Sequence, residues 1–507
     1  MTAAPARPAR DVLTLPLIGR MLKHRSGRVL LQIPFLLLAV LLIYDGFTGP
    51  QRAAENLATV VPWVHFRGVV VIALLLFGNL ICMSCPFTLT RSLGRRFASP
   101  KRRFPRVLRS KWIAIATLIV LFIAYEWLNL WASPWLTAWL IVGYFAASFI
   151  LELLFAESAF CKYVCPLGSF NFAYSSGAPL MIEAKDPELC KVCVGKECVN
   201  GSFALTPLIR VDTIPVAGRP EGRQVQVTHD RAGVLGCGTE LFVPQIRSNL
   251  DCTLCLDCAR ACPHDNVALA ARRPFRQWFD PAAWPKRWDV ILLIVVLASA
   301  GIVNAFGMIP PVYEVIGHLA SAFGQVENGV VTPWGEAIAL LLLFGVLAVA
   351  LPALLVKGAA RLSRTLAPTK FTYTDRDVAA AFTPAFVPLG LAVWIAHYGF
   401  HFLIGLFTIV PAVQTFLLDH GITALGEPNW SLSGLTDTGV IGVVQVVVMI
   451  GGMALSLLVA ERSAFRLYKR KAMPGLLPFA LLLLAMMLLA LLTFSQPMEM
   501  RGTVFFD

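Results

Sequence analysis

The segment CTLCLDCARACP spans residues 252–263 and carries four cysteines. The spacings between them are two, two and three residues, and Pro263 follows the last cysteine. One short loop can turn three thiols at two-residue spacing toward a common centre, whereas structural zinc sites favour two separated cysteine pairs. The spacing therefore predicts a loop that wraps a metal–sulfur cluster, with Cys262 on a helical turn that points away from it.

A second set of thiols lies upstream in CKVCVGKEC, residues 190–198. The spacing of the 252–263 segment is typical of [4Fe–4S] ligation in two-cluster proteins, in which the fourth cysteine ligates the other cluster. We therefore predict two [4Fe–4S] clusters, and we assign Cys237, in VLGCGTE, as the remaining ligand. The upstream quartet is Cys190, Cys193, Cys198 and Cys262, and the downstream quartet is Cys252, Cys255, Cys258 and Cys237.

The other four of the twelve cysteines form two Cys-Pro motifs, ICMSCPF and FCKYVCPLG. They are Cys82, Cys85, Cys161 and Cys165, which we call the membrane-face quartet. Four thiolates that meet at one place can hold a single iron, a [2Fe–2S] cluster or zinc, and a redox-active disulfide is a further option. The sequence leaves these alternatives open.

The composition indicates a membrane protein. Of the 507 residues, 57% are hydrophobic and only 14% are charged, against about 25% charged residues in a typical soluble domain. The formal net charge of +13 does not indicate nucleic-acid binding, because the basic residues sort by loop and no nucleic-acid motif is present. No cleavable signal peptide is expected at the polar, basic N-terminus.

Nine apolar stretches are long enough to span a bilayer. They are residues 28–45, 67–86, 112–131, 136–157, 289–309, 337–357, 383–411, 439–460 and 474–494. The seventh contains Pro384 and Pro388 and is expected to begin as an interfacial turn. We therefore predict a mainly α-helical, polytopic membrane protein with about nine transmembrane helices and a small α+β iron–sulfur domain between the fourth and the fifth.

The predicted domains follow from these stretches. They are a basic N-terminus (1–27), a four-helix membrane domain with the Cys-Pro motifs (28–157), an iron–sulfur domain (158–288) and a five-helix membrane domain (289–507). The segment RQVQVTH, residues 223–229, alternates like a strand and predicts a loop or small sheet in the insert 201–251.

Loop charges set the predicted orientation. Lys and Arg number six in residues 1–28, nine in 88–111, five in 357–376 and five in 461–473, but none in 310–336 or 412–438. Because cytoplasmic loops are enriched in basic residues, we expect the N-terminus and the iron–sulfur domain in the cytoplasm and the C-terminus outside, in a bacterial-type inner membrane.

Two histidines lie in the seventh stretch, in WIAHYGFHFLIG. His397 and His401 are four residues apart and therefore share one face of a helix. Ionisable residues at that depth are candidates for function. They could serve a quinone or proton site, ligate separate haems, or form ordinary interhelical hydrogen bonds. Other polar residues are expected to have structural roles: Asn304 and Gln445 as interhelical donors, Glu126 and Glu152 as solvated carboxylates, and His264 as a surface residue.

Residues 60–275 resemble the NapH/NosR group of membrane polyferredoxins. Both have two Cys-Pro motifs at inner helix ends, followed by a domain for two four-iron clusters. CKYVCP at 161–166 matches the family's CxxxCP motif, whereas CMSCP at 82–86 is one residue shorter. The resemblance implies a role in anaerobic respiration, in which electrons move between the quinone pool and partner redox proteins.

We therefore expect an electron carrier rather than a stand-alone, substrate-converting enzyme. Its expected partners are the lipid bilayer, a quinone pool or soluble electron carrier, and partner redox proteins. A redox-sensing or metalloenzyme-maturation protein with the same clusters is the main alternative. An ion-coupled redox pump is a weaker one, because the last five spans contain almost no acidic residues.

Overall fold

The computed structural model describes residues 10–24, 26–97, 102–202, 233–432 and 438–499. Within them the chain is mostly helical. Seven helical segments are long and apolar enough to cross a membrane. They are Gly27–Thr48, Leu57–Phe77, Pro134–Leu154, Trp288–Phe306, Pro333–Leu366, Asp375–Ile404 and Gly439–Phe494. The expectation of a mainly helical, multi-pass protein agrees with this architecture.

The count of about nine spans stays a prediction, because two features of the described chain complicate it. The third predicted span is the helix Trp112–Trp127, which has 16 residues and a length of about 24 Å at 1.5 Å per residue. The last apolar segment contains both final predicted spans as the helices Thr438–Tyr468 and Ala472–Phe494, joined by a short turn at Lys469–Lys471.

Two predicted boundaries were wrong. The predicted second span is 67–86, but the helical segment is Leu57–Phe77. Arg67, at which the predicted span begins, lies inside the helix, where its guanidinium stacks on Trp63 and Tyr398. At the other end Gly78 adopts φ +68°, a left-handed conformation that glycine adopts readily and that ends the helix.

The predicted seventh span is 383–411. The structure instead has the helix Phe386–Ile404, preceded by the short helix Asp375–Phe382 and a 3-10 turn at Thr383–Ala385. The expected turn at the prolines is therefore present. A turn at Gly405–Thr408 then separates a further short helix, Ile409–Asp419.

The cysteine-rich region folds around a small antiparallel sheet. Strand β1 (Leu180–Ala184) pairs with β2 (Val267–Ala271), with Ile182 opposite Leu269. Asp11 from the N-terminal segment adds an isolated bridge to Ala270. The described residues between the strands include the short helices Pro187–Val192, Glu197–Asn200 and Asp257–Ala261. The expected strand-like segment 223–229 lies outside the described residues.

One hydrophobic core lies under the cysteine loops and another between the membrane helices. The smaller core contains Leu254, Leu256 and Met83, so it includes a residue from the first Cys-Pro motif. In the larger core, Trp288–Phe306 and Asp375–Ile404 are the most buried helices, with 83% and 89% of their most apolar windows inside the protein. They are the central helices, which the other membrane helices surround.

Candidate metal centre

The upstream quartet lines one cavity. Its four thiols come from three places: the end of helix Pro187–Val192, the helix Glu197–Asn200, and the turn after helix Asp257–Ala261. Cys262 therefore lies with Cys190, Cys193 and Cys198, although it belongs in sequence to the downstream motif. Four thiols around one cavity are a suitable ligand set for a four-iron cluster.

Asn266 donates hydrogen bonds to two sulfurs of this quartet. Its side-chain Nδ2 lies 3.3 Å from Cys190 Sγ, and its backbone N lies 3.4 Å from Cys262 Sγ. The same side chain also bonds the carbonyl of Asp186 at 2.7 Å. Hydrogen bonds to cluster sulfurs raise reduction potential, so Asn266 is positioned to tune a bound cluster. Sequence reasoning did not identify it.

The downstream quartet also comes together. Cys237 lies near enough to Cys252, Cys255 and Cys258 to interact electrostatically with each of them. The backbone N of Cys237 donates to the carbonyl of Cys198 at 2.9 Å. Cys237 is thus held where the two cysteine loops meet.

The local sequence explains how Cys237 reaches this place. A Cβ on Gly236 would lie 2.2 Å from the carbonyl oxygen of Val199, and one on Gly238 would lie 2.4 Å from Arg91 Nη1. Position 236 therefore requires glycine, because the neighbouring atoms belong to the backbone, whereas at position 238 the neighbouring atoms belong to side chains that can move. Within the downstream loop, Leu254 and Leu256 adopt φ values of +50° and +61°. Such backbone strain in non-glycine residues is typical of functional loops.

Burial raises the pKa of three thiols in each quartet, which are Cys190, Cys193 and Cys198 upstream and Cys252, Cys255 and Cys258 downstream. The pKa of Cys198 rises to about 12, first because of burial and then because of the neighbouring Cys262 and Cys190. The pKa of Cys252 is shifted upward for the same reasons, with Cys237 as the neighbouring thiol. Crowded, buried thiols favour the proton-bound form until a metal supplies compensating positive charge.

The membrane-face quartet is assembled from the two Cys-Pro motifs. Cys82 lies in the short helix Leu80–Ser84, and Cys161 lies in a helical turn at Phe160–Val164. Cys82 and Cys85 both act electrostatically on Cys161, and Cys165 interacts with each of them in the same way. Two motifs that are distant in the chain therefore converge at one place, as the predicted topology requires.

Polar groups contact the sulfurs and carbonyls of the membrane-face quartet. Asn171 Nδ2 donates to Cys82 Sγ at 3.2 Å, and the backbone N of Gly168 donates to Cys165 Sγ at 3.2 Å. Gln32, from the first membrane helix, donates to the carbonyl of Cys85 at 2.8 Å. Burial raises the pKa of Cys165 to about 12, although the Gly168 amide opposes this.

The downstream loop docks directly on the membrane helices. Asn79, just after Leu57–Phe77, is fully buried, and its Nδ2 donates to the carbonyl of Cys252 at 2.8 Å. A Cβ on Gly78 would lie 3.4 Å from Leu254 Cδ1. The downstream quartet is therefore the one that adjoins the membrane-face quartet.

No group of three or more His, Cys, Asp or Glu side chains among the described residues is spaced to hold a single metal ion. In a [4Fe–4S] cluster each cysteine binds a different iron, so its four ligands need not meet at one ion. The membrane-face quartet is likewise not spaced for a single iron or zinc ion, so the arrangement gives no support to these two alternatives, and a [2Fe–2S] cluster or a redox-active disulfide stays a prediction.

His397 and His401 lie on one face of the helix Phe386–Ile404 and are almost fully buried. Their ring centroids are 5.3 Å apart, and His397 Nε2 lies 3.3 Å from the sulfur of Met308. The shared face agrees with the i, i+4 spacing. Whether the pair serves a quinone, a haem or a proton stays a prediction.

Several polar residues differ from their expected surroundings. Glu126 and Glu152 were expected to be solvated, but they are 7% and 2% exposed. Glu152 lies 3.9 Å from Arg91. His264, expected at the surface, lines the upstream cavity. Gln445 donates to the carbonyl of Ala396 on a neighbouring helix at 3.1 Å, as expected.

A second cavity lies beside the cysteine-rich region, next to the cytoplasmic ends predicted for the last helices. Its lining includes Trp278, Trp284, Tyr373 and Arg466. A chain of hydrogen bonds leads from it toward the downstream quartet. Trp284 Nε1 donates to the Gln277 carbonyl at 2.9 Å, Gln277 Oε1 accepts from Asn249 N at 2.8 Å, and Cys252 N donates to the Asn249 carbonyl at 3.1 Å.

Comparisons with known proteins agree with the cysteine pattern. The chain is 24% identical over 245 residues to the ferredoxin-type protein NapH of Escherichia coli (strain K12). The match covers 44% of this chain and 75% of that protein. No protein-family profile matches the chain, and no solved structure matches it. Over less than half of its length, the chain is therefore similar to a ferredoxin-type protein.

Proposed function

We propose that this protein is an inner-membrane electron carrier with two [4Fe–4S] clusters, one in the upstream and one in the downstream quartet. The crossed assignment is supported by the cavity that Cys262 shares with the upstream thiols, and by the proximity of Cys237 to the downstream thiols. The similarity to a ferredoxin-type protein supports the same class of function.

A continuous arrangement of three cysteine quartets is the observation that carries this proposal. The Cys237 amide bonds the Cys198 carbonyl, which links the upstream to the downstream quartet. Asn79 then links the downstream loop to the end of a membrane helix. A series of adjacent redox centres is what stepwise electron transfer requires, whereas a redox-sensing or metalloenzyme-maturation protein does not need the downstream quartet beside the membrane-face quartet.

The chemistry is transfer of single electrons between bound centres. Iron–sulfur clusters supply the redox chemistry when they are bound, and the chain's own residues hold them in place and set their potentials. Buried thiolates supply the ligands, Asn266 and Asn171 donate to sulfur, and the surrounding apolar core keeps water away. No covalent bond of a substrate is made or broken by the side chains.

The electrons are proposed to pass between a quinone pool or a cytoplasmic carrier and a partner redox enzyme, in anaerobic-type respiration. The aromatic cavity near Trp284 supports exchange at the cytoplasmic face, because hydrogen bonds connect it to Cys252. His397 and His401 are an alternative quinone or proton site within the membrane. The direction of electron flow is left open.

Rapid-mixing spectroscopy tests the relay directly. Anaerobically purified protein in nanodiscs is mixed with a reduced quinol or with a reduced soluble carrier, and bleaching of the iron–sulfur absorption is followed. We expect reduction and reoxidation at the rate of turnover for at least one of the two donors. A Cys255→Ser variant should lose one cluster and stop the flow. Changes that are slow with both donors would favour a redox sensor instead.

A further inference from the structure

Arg28 contacts both the downstream loop and the first Cys-Pro motif. It lies in the first turn of the helix Gly27–Thr48, and its side chain is 14% exposed. Nη1 lies 3.2 Å from Asp257 Oδ2, Nη2 donates to Thr88 Oγ1 at 2.7 Å, and Nε lies 3.4 Å from the carbonyl of Met83. Asp257 stands between two downstream cysteines, and Met83 stands between two membrane-face cysteines.

The charge of Arg28 acts on thiols of the downstream quartet and of the membrane-face quartet. Besides Asp257, the groups that interact most strongly with its guanidinium are Cys255, Cys161 and Cys85. The hydrogen bonds of the Arg28 guanidinium go to the downstream loop, at Asp257, and to the first Cys-Pro motif and the residue just after it, at Met83 and Thr88. Its charge is therefore placed between the downstream quartet and the membrane-face quartet.

A fixed positive charge stabilises the electron that a metal–sulfur centre gains on reduction. The effect is strong where little water screens it, and net charge near a cluster is one of the factors that set its potential. Asp257 lies beside the same cluster with the opposite charge. It contacts Arg28, Arg91 and Arg260 at 3.2, 3.6 and 2.7 Å.

We propose that Arg28 is a positioning residue whose charge raises the reduction potentials of the downstream cluster and of the membrane-face centre, and so aligns them for electron exchange. This inference rests on the proposed function for the cofactors themselves. It adds a residue that is not a cluster ligand and that lies outside every metal-binding motif of the chain.

The test is a redox titration followed by electron paramagnetic resonance on four proteins: wild type, Arg28→Gln, Arg28→Lys and Asp257→Asn. Arg28→Gln should lower the midpoint potentials of the downstream cluster and the membrane-face centre. Arg28→Lys, which keeps the positive charge, should leave both potentials close to those of the wild type. Asp257→Asn should raise the potential of the downstream cluster. The upstream cluster should keep its potential in all four proteins and is the internal control.

The potential of the downstream cluster should shift down in Arg28→Gln and up in Asp257→Asn, and these opposite directions distinguish an effect of charge from a structural effect. Both Arg28→Gln and Asp257→Asn break the same ion pair, so a merely structural role predicts shifts in the same direction. Shifts of the same sign, or no shift in Arg28→Gln with its iron content intact, would overturn the proposal. If Arg28→Gln does not retain its iron, Arg28→Lys decides: it keeps the positive charge but has one nitrogen in place of the three that contact Asp257, Thr88 and Met83. Potentials close to those of wild type support the proposal, and a lowered potential of the downstream cluster overturns it.

Failure of this inference differs from failure of the proposed function. A wild-type protein that binds no clusters, or that does not exchange electrons at turnover rates, would contradict the relay. Clusters that exchange electrons rapidly, but whose potentials ignore Arg28, would contradict only the role of Arg28.

Discussion

At the scale of single residues, Cys262 is the most informative position. In sequence it completes the downstream motif, yet it lines the cavity of the upstream quartet. Cysteine spacing predicts this crossing, because the three-residue step places the fourth thiol on a helical turn that faces away. Cys237 lacks such a spacing and is assigned as the thiol that remains, although the glycine that precedes it is a usable signal.

Pairs of cysteine variants test the crossing. Cys190→Ser and Cys262→Ser should each remove about four iron atoms per chain, and the double variant should also lose only about four, because both ligate one cluster. Cys252→Ser combined with Cys262→Ser should lose about eight. Iron analysis of the variants measures this. A double Cys190/Cys262 variant that loses about eight iron would contradict the crossed assignment.

Asn266 provides a second test at this scale. Asn266→Ala should lower the midpoint potential of the upstream cluster, because it removes the side-chain hydrogen bond of 3.3 Å to Cys190 Sγ. Hydrogen bonds to the sulfurs are among the factors that set a cluster's potential. Asn200→Ala is the matched control, because the side chain of this exposed residue near Cys198 bonds the Gly195 carbonyl. Equal shifts in the two variants would rule out a specific effect on sulfur.

Residues such as Arg28, Arg67 and Asn266 could not be predicted. Their partners are distant in the chain: Arg28 and Asp257 are 229 positions apart. A lone arginine near the start of an apolar stretch is read as a loop charge, and a lone asparagine after a cysteine motif carries no pattern. Only the folded arrangement reveals what they contact.

At the scale of elements, helix ends decide how the cysteine loops meet the membrane helices. Hydropathy locates most of the apolar segments, but it begins the second at Arg67 instead of Leu57. The cation–π contacts of Arg67 with Trp63, Tyr125 and Tyr398 allow its charge to remain inside the helix bundle. Periodicity and hydropathy contain no information on whether aromatic rings elsewhere in the fold stabilise a charged side chain inside a helix bundle.

The junction at Asn79 gives a prediction for this scale. Asn79→Ala should lower the free energy of unfolding by about 1–3 kcal/mol, because the variant leaves the buried Cys252 carbonyl without its donor. Chemical denaturation in detergent, followed by loss of cluster absorption, measures this. Asn429→Ala is the control, since that exposed side chain accepts from Ser431 in its own turn and its loss should change stability by less than about 0.5 kcal/mol.

Unchanged stability in Asn79→Ala would mean that the downstream loop does not depend on this contact. The docking of the cysteine-rich region on the membrane helices would then need another junction.

At the scale of the whole molecule, the distribution of basic loops makes a prediction about topology. Seven helical segments of the described chain can cross a membrane by length and composition, and the loop charges predict their orientation. For labelling, one new cysteine at a time is introduced into the cluster-loaded protein, in which the bound clusters protect the native thiols. An Arg470→Cys variant should react from the cytoplasmic side, and a Glu427→Cys variant should react from the outside.

Membrane-impermeant maleimide on intact spheroplasts and on inverted vesicles separates the two sides. Labelling of both positions from the same side would contradict the arrangement, and with it the placement of the last two helices as a pair that crosses the membrane twice. The basic turn Lys469–Lys471 between these helices is the feature on which this prediction depends.

The central claim is that two four-iron clusters occupy the upstream and downstream quartets. The most direct measurement is iron, acid-labile sulfide and zinc per chain on anaerobically purified protein. The account predicts about eight iron and eight sulfide, with about nine or ten iron if the membrane-face quartet also holds iron. About four iron or fewer after reconstitution would contradict the two-cluster assignment, and with it the role of Cys237.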